Sequence, residues 1–166
     1  MDDTQFPCSN YERVREFHQV FDHPHPESLQ KDIFEKDPKL IQFRLSLIEE
    51  EFNELKRATD EKNMEGVIDA LADLLYVTYG MGVALGIDLD RAFKIVHESN
   101  MSKLCHSEQE AMETIEYYNN IPEFSSIDVK YRPSLDGNHL VIYNAITGKI
   151  LKSKYYTPPN FEEMLK

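Results

Sequence analysis

Two runs of carboxylates carry the chemistry that this sequence offers. The first is Leu47-Ile48-Glu49-Glu50-Glu51-Phe52-Asn53-Glu54. Read as a helix at about 100° per residue, Glu50, Glu51 and Glu54 fall within an arc of about 100°. Phe43, Leu47 and Ala58 share that arc, whereas Glu49, Asn53 and Lys56 lie on the far side. A solvated acidic face does not normally interleave its glutamates with Phe and Leu. The second run places Asp69 and Asp73 at i, i+4 on a face that Tyr76 and Gly80 continue. The surrounding segment, Val67 to Leu85, is apolar nearly all round, so it is expected to be the most buried helix of the fold. Two carboxylates buried there require cations, and no Lys or Arg stands between Lys62 and Arg91. The cations are either basic side chains of other helices or metal ions. Three glutamates and two aspartates form an all-oxygen donor set that suits Mg²⁺ or Mn²⁺ rather than zinc. A di-iron bundle would need Glu-x-x-His pairs, and no histidine here has glutamate three residues before it.

The elements that position these groups are legible from their caps. Ser9 caps a helix of roughly Tyr11 to Phe21, which stops before the His23-Pro24-His25-Pro26 turn. Asp37-Pro38 opens the glutamate-bearing helix, which runs to about Glu61 with Ile41, Leu45, Ile48, Phe52 and Leu55 as its apolar stripe. The aspartate-bearing helix spans about Met64 to Leu85, with Gly86 as its stop. Asp88 caps a further helix to about Leu104, and Ser107 caps one over Glu108 to Asn119. In the Asp88 helix the stripe Leu89, Phe93, Val96 continues into Asn100 and Lys103. An amide and an ammonium at inward positions can grip phosphate oxygens, although a solvated helix end would look the same. His97 and His18 read as structural. Beyond Pro122, His139–Asn144 and Lys149–Ser153 read as a β-hairpin turned by Ala145-Ile-Thr-Gly148, followed by an extended strap through Pro158-Pro159. The expected fold is all-α: a four-helix-type bundle core with a small C-terminal β-hairpin and an extended strap. It is read as a single domain over 1–166, with its helical core at about 10–105 and the remainder at about 107–166.

The bulk properties narrow the partners. The chain has 166 residues, enough for one domain with a sizeable core. Lys+Arg 18 against Asp+Glu 30 leaves a net charge of −12, which argues against nucleic-acid polymers and anionic membranes. A small phosphate ligand remains open if metal ions supply the positive charge. Cys8 and Cys105 match no zinc or redox spacing and read as reduced thiols of a cytoplasmic protein. The start, Met1-Asp2-Asp3, lacks the basic and apolar regions of a signal peptide. The longest apolar run, Leu74 to Ile87, falls short of the roughly 20 residues a spanning helix needs.

Taken in order, these motifs resemble the all-α NTP pyrophosphohydrolase superfamily, which includes MazG, the dimeric dUTPases and phosphoribosyl-ATP pyrophosphohydrolase. The resemblance rests on Glu50-Glu51-x-x-Glu54 and on Asp69-Ala-Leu-Ala-Asp73-Leu-Leu-Tyr-Val-Thr-Tyr-Gly80. It extends to Arg15-Glu-Phe-His18, Leu85-Gly-Ile-Asp88 and Val96-His-Glu-Ser-Asn100-Met-Ser-Lys103. Gly148-Lys-Ile-Leu-Lys152 followed by Pro158-Pro159 is similar to the C-terminal strap of the MazG-like branch. The resemblance implies cleavage of a nucleoside triphosphate to monophosphate and pyrophosphate, with Mg²⁺ or Mn²⁺. It implies Glu51, Glu54 and Asp73 as metal ligands, Glu50 as general base, and Asn100 and Lys103 as substrate contacts. It also implies a homodimer or homotetramer. One departure stands out: Ala70 occupies the position where the superfamily usually has a second glutamate, and Asp69 is the candidate to replace it. A silent nucleotide-binding module and a phosphoribosyl-ATP hydrolase are the competing readings.

Overall fold

The structure is a computed structural model that describes residues 9–166. Cys8 and the Met1-Asp2-Asp3 start lie outside the described residues. The fold is mostly helical, with one small two-stranded antiparallel sheet. The chain forms two compact units, one of residues up to Ala92 together with Glu162–Lys166, the other of Phe93–Phe161.

The first unit contains α1 (Asn10–Val20), the single turn α2 (Ile33–Lys36), α3 (Pro38–Asp60), α4 (Met64–Leu85) and the start of α5 (Leu89–Met101). Side-chain caps set these boundaries. Ser9 and Glu12 form a reciprocal capping box on α1. Asp37 accepts from the Leu40 amide with Pro38 in the first turn of α3, and Asn63 accepts from the Gly66 amide on α4. Gly86 ends α4 in the left-handed conformation at φ 71°. Among these helices the four-residue α2 is unforeseen; it fills the gap before Asp37 and buries none of its own residues.

α3 and α4 are joined by three residues, so they pack antiparallel. Two close approaches fix their register. A Cβ on Gly66 would meet the Ala58 Cβ at 3.1 Å, and one on Gly80 would meet Arg44 Nη1 at 3.3 Å. α4 departs from expectation in its burial. Only Ala70, Gly80 and Gly82–Leu85 are buried, while Met64 (70%), Ile68 (64%) and Leu75 (59%) face solvent. The reason is that its neighbours, α3 and α1, leave one long apolar side of its N-terminal half uncovered within a single chain. Counted past its aspartates, α4 also reaches the length and apolarity of a bilayer span, unlike the run from Leu74 alone. Aspartate near a bilayer centre costs about 2.5–3.5 kcal/mol, and α4 carries Asp69 and Asp73.

In the second unit α6 (Glu108–Asn119) packs on β1 (Val129–Pro133) and β2 (Leu140–Asn144) around Cys105, Ala111, Tyr118, Val129, Ile142 and Leu151. Cys105 is a free, buried thiol. The expected hairpin is corrected here. β2 pairs along its length with β1, whereas Lys149–Ser153 meets its other edge only at a Tyr143–Ile150 bridge. The Ala145–Gly148 turn is real, with Gly148 at φ 73° and its amide bonded to the Asn144 carbonyl. The strap docks through Ser99, whose Oγ donates to the Thr157 carbonyl at 2.8 Å, and through Ser102, whose Oγ accepts from the Thr157 amide at 2.9 Å. The helix carrying Ser99 ends at Met101 rather than Leu104, and Ser102 lies in the turn just after it.

Candidate active site

The α3–α4 register places the carboxylates. Ala58, Glu51 and Arg44 recur every seven residues on α3, as do Gly66, Asp73 and Gly80 on α4. Seven residues are two turns less about 20°, the repeat on which a left-handed helix pair keeps one face in contact. Because Gly66 faces Ala58 and Gly80 faces Arg44, Glu51 faces Asp73 midway between them. The same register sets Glu54 opposite Ala70.

The electrostatics follow that geometry. The Glu51 carboxyl is half-buried and its pKa is raised, first by burial, then by the charges of Asp73, Glu54, Glu50 and Asp69 in that order. Asp73, across the seam, acts more strongly than the residues of Glu51's own helix. Asp69 contributes least, as expected for a residue about 100° round the helix from Ala70. Contrary to the expectation of a buried pair, Asp69 and Asp73 are both exposed, as is Glu50, because the outer side of the α4 N-terminal half is open. Glu54 accepts from Arg57 Nη2 at 3.0 Å, the one ion pair made by this set among the described residues. With both side chains substantially exposed, that pair holds Glu54 weakly.

Among the described residues, no three His, Cys, Asp or Glu side chains are gathered closely enough to hold an ion as they stand. The donor set nevertheless fits a hard divalent cation. It consists of carboxylate oxygens alone, drawn from facing positions of two helices, and Glu51 shows that they repel one another. A divalent cation would relieve that repulsion.

Asn100 and Lys103 lie in the second unit, where Lys103 Nζ donates to Asn100 Oδ1 at 2.6 Å. The structure thus brings these two polar groups together at the C-terminal end of α5, Asn100 in its last turn and Lys103 in the turn just beyond. His18 is buried on α1, with its Nδ1 2.7 Å from the Pro24 carbonyl, so the His-Pro loop serves as its anchor. Sequence reasoning missed Arg44, which is buried on α3 beside Gly80. Its signal was the seven-residue step back from Glu51, onto the face of Phe43 and Leu47 where a cation is out of place.

A helix pair with carboxylates opposed across its seam defines the class of metal-assisted phosphate chemistry to which this site is suited. The profile of the phosphoribosyl-ATP pyrophosphohydrolase family matches residues 14–100, from α1 to the last turn of α5. Uncharacterized protein L479 of Acanthamoeba polyphaga mimivirus is 34% identical, with 96% of this chain and 96% of that protein covered. The chain belongs to the phosphoribosyl-ATP pyrophosphohydrolase family, within the MazG-like NTP pyrophosphohydrolase superfamily. Membership implies a hydrolase of the pyrophosphohydrolase class.

Proposed function

We propose that this protein hydrolyses a nucleoside triphosphate between its α and β phosphates, releasing nucleoside monophosphate and pyrophosphate. The observation that carries the reading is Glu51 facing Asp73 across the α3–α4 seam, with Glu54 and Glu50 beside it. Glu51, Glu54, Asp73 and Asp69 are the groups that would hold Mg²⁺, or Mn²⁺. When bound there, such an ion would supply positive charge for the phosphate oxygens. Glu50 is exposed and adjacent to Glu51, so it is free to take a proton from the attacking water. The water oxygen bonds to the α phosphorus as the bond to the bridging oxygen breaks. Asn100 and Lys103 contribute an amide and an ammonium for phosphate oxygens. The same reading makes the protein a cytoplasmic house-cleaning or pool-adjusting enzyme, without nucleic-acid polymer or membrane partners. The open apolar side of α4 supports a homodimer or homotetramer.

A second reading has its own support, since the matching family is described by phosphoribosyl-ATP hydrolysis. One assay separates the candidates. Purified protein with Mg²⁺ is given a panel of NTPs, dNTPs and phosphoribosyl-ATP, and products are resolved by anion exchange. Monophosphate and pyrophosphate in equal amounts from an NTP or dNTP support the proposal. Turnover confined to phosphoribosyl-ATP assigns the second reading. No turnover of any substrate leaves a silent binding module, which the alanine at position 70 would favour.

A further inference from the structure

Arg44 is explained neither by the carboxylate site nor by the packing. It is 4% exposed, yet its Nε and Nη2 have no hydrogen-bond partner among the described residues. Burial lowers its pKa, but a guanidinium keeps its proton in proteins. It therefore stays a desolvated cation with no anionic partner among the described residues, which is unfavourable until an anion meets it.

The two bare groups form a matched pair. Nε–H and Nη2–H lie side by side on one edge of the guanidinium, the edge that meets two oxygens of one oxyanion. At its remaining nitrogen, Nη1, the guanidinium lies against α4. A Cβ on Gly80 would lie 3.3 Å from Arg44 Nη1, tighter than ordinary contact, and 3.4 Å from His18 Nε2, at the near limit of it. The His18 ring is fixed there by its Nδ1, 2.7 Å from the Pro24 carbonyl, the partner that assigns Nδ1 as the protonated nitrogen. A buried guanidinium, through Nη1, and a buried imidazole, through Nε2, thus both lie against Gly80, one of the two glycines of the seam. Arg44 Cζ also lies 5.5 Å from the centre of the half-exposed Phe43 ring.

Position adds the last element. Arg44 and Gly80 face each other two turns, about 10.5 Å of helix, from Glu51 and Asp73 on the same seam. We propose that the Nε–Nη2 edge of Arg44 is an oxyanion site for a phosphate group, two turns along the α3–α4 seam from Glu51 and Asp73. The assignment of that phosphate to a nucleotide rests on the function proposed above; the site itself does not.

The test uses metal-free protein in EDTA, so that it does not depend on catalysis. Pyrophosphate is titrated calorimetrically into the wild type, Arg44→Lys, Gly80→Ala and Glu51→Gln, with acetate as the carboxylate control. The expected result is saturable pyrophosphate binding that weakens at least tenfold in Arg44→Lys, which keeps the charge and loses the fork. Gly80→Ala weakens it similarly by pressing a methyl against Nη1 and shifting the guanidinium, and provides the answer if Arg44→Lys does not fold. Glu51→Gln binds pyrophosphate at least as well as the wild type even though its turnover is lost, which separates this site from the catalytic proposal. Absent binding in the wild type, or binding unchanged in both Arg44→Lys and Gly80→Ala, overturns the site. Equal competition by acetate overturns the phosphate assignment. So does loss of self-association in Arg44→Lys with pyrophosphate binding intact, which would give the fork to a carboxylate of a second copy.

Discussion

Glu51 sits where burial and four neighbouring carboxylates all disfavour its charge, so in the absence of metal it is a source of strain as well as a candidate ligand. Glu51→Gln and Asp73→Asn are each expected to abolish Mg²⁺-dependent turnover while leaving the metal-free melting temperature unchanged or higher. A variant that kept near-normal turnover would remove that residue from the site. Glu50→Gln should behave differently, because an exposed base one residue away acts on water rather than on the ion. Its rate should fall about 10²–10⁴-fold with metal affinity largely retained; a parallel collapse of metal binding would make it another ligand. Ala70 is a sharper probe than Asp69. It is 2% exposed and faces Glu54 in the register, whereas Asp69 acts most weakly on Glu51. Ala70→Glu should destabilise the metal-free protein by crowding another buried carboxylate into the set. Mg²⁺ should then raise its melting temperature by more than it raises that of the wild type. Equal shifts in the two proteins would show that position 70 does not reach the ion.

The helices illustrate what local chemistry does and does not specify. Ser9, Asp37, Asn63, Asp88 and Ser107 each accept a backbone amide where a helix begins, so those starts were legible within a residue or two. The burial of α4 was not legible, because an all-round apolar helix has the same composition whether its own chain or another covers it. The hairpin was half legible. Gly148 and Asn144 announced their turn, but Val129-Lys-Tyr-Arg-Pro133 ends in proline and reads as a weak strand until β2 pairs with it. Two predictions belong at this scale. A Cβ on Gly86 would stand 2.2 Å from the Ser28 carbonyl oxygen, at a φ that L-residues rarely adopt. Gly86→Ala should cost at least about 2 kcal/mol in a denaturant titration, the left-handed conformation alone accounting for roughly 1–2 kcal/mol; a loss below about 0.5 kcal/mol would contradict this. The second concerns the anchor between α1 and the His-Pro loop. The pKa of His18 is lowered from 6.5 by burial, with Arg44, His23 and His25 adding to the effect. The unfolded chain then binds more protons between the folded-state pKa and 6.5, so stability falls as pH drops through that window and is level above it. Melting curves against pH should show this loss in the wild type and a smaller one in His18→Gln. Identical slopes would place the acid sensitivity elsewhere.

For the molecule as a whole, the ordered motifs from Arg15 to Lys103 identified the superfamily, and the matching profile spans nearly the same stretch. What the motifs lacked was Arg44, since a lone arginine in an apolar stripe has no family signature and becomes conspicuous only when its buried edge is seen without partners. The exposed Met64, Ile68, Leu71 and Leu75 make a contiguous apolar side on α4 that a single chain leaves wet. Under the proposed homo-oligomer, Ile68→Glu should leave the helical fold intact and weaken self-association at least tenfold in sedimentation equilibrium. An unchanged assembly would move the interface away from α4. The most direct measurement of the central claim is pyrophosphate release from the preferred triphosphate at saturating Mg²⁺, compared between the wild type and Glu51→Gln. Stoichiometric release by the wild type, dependent on Mg²⁺ and reduced to background in Glu51→Gln, is the predicted result; release that persists in the variant, or that ignores Mg²⁺, would contradict it.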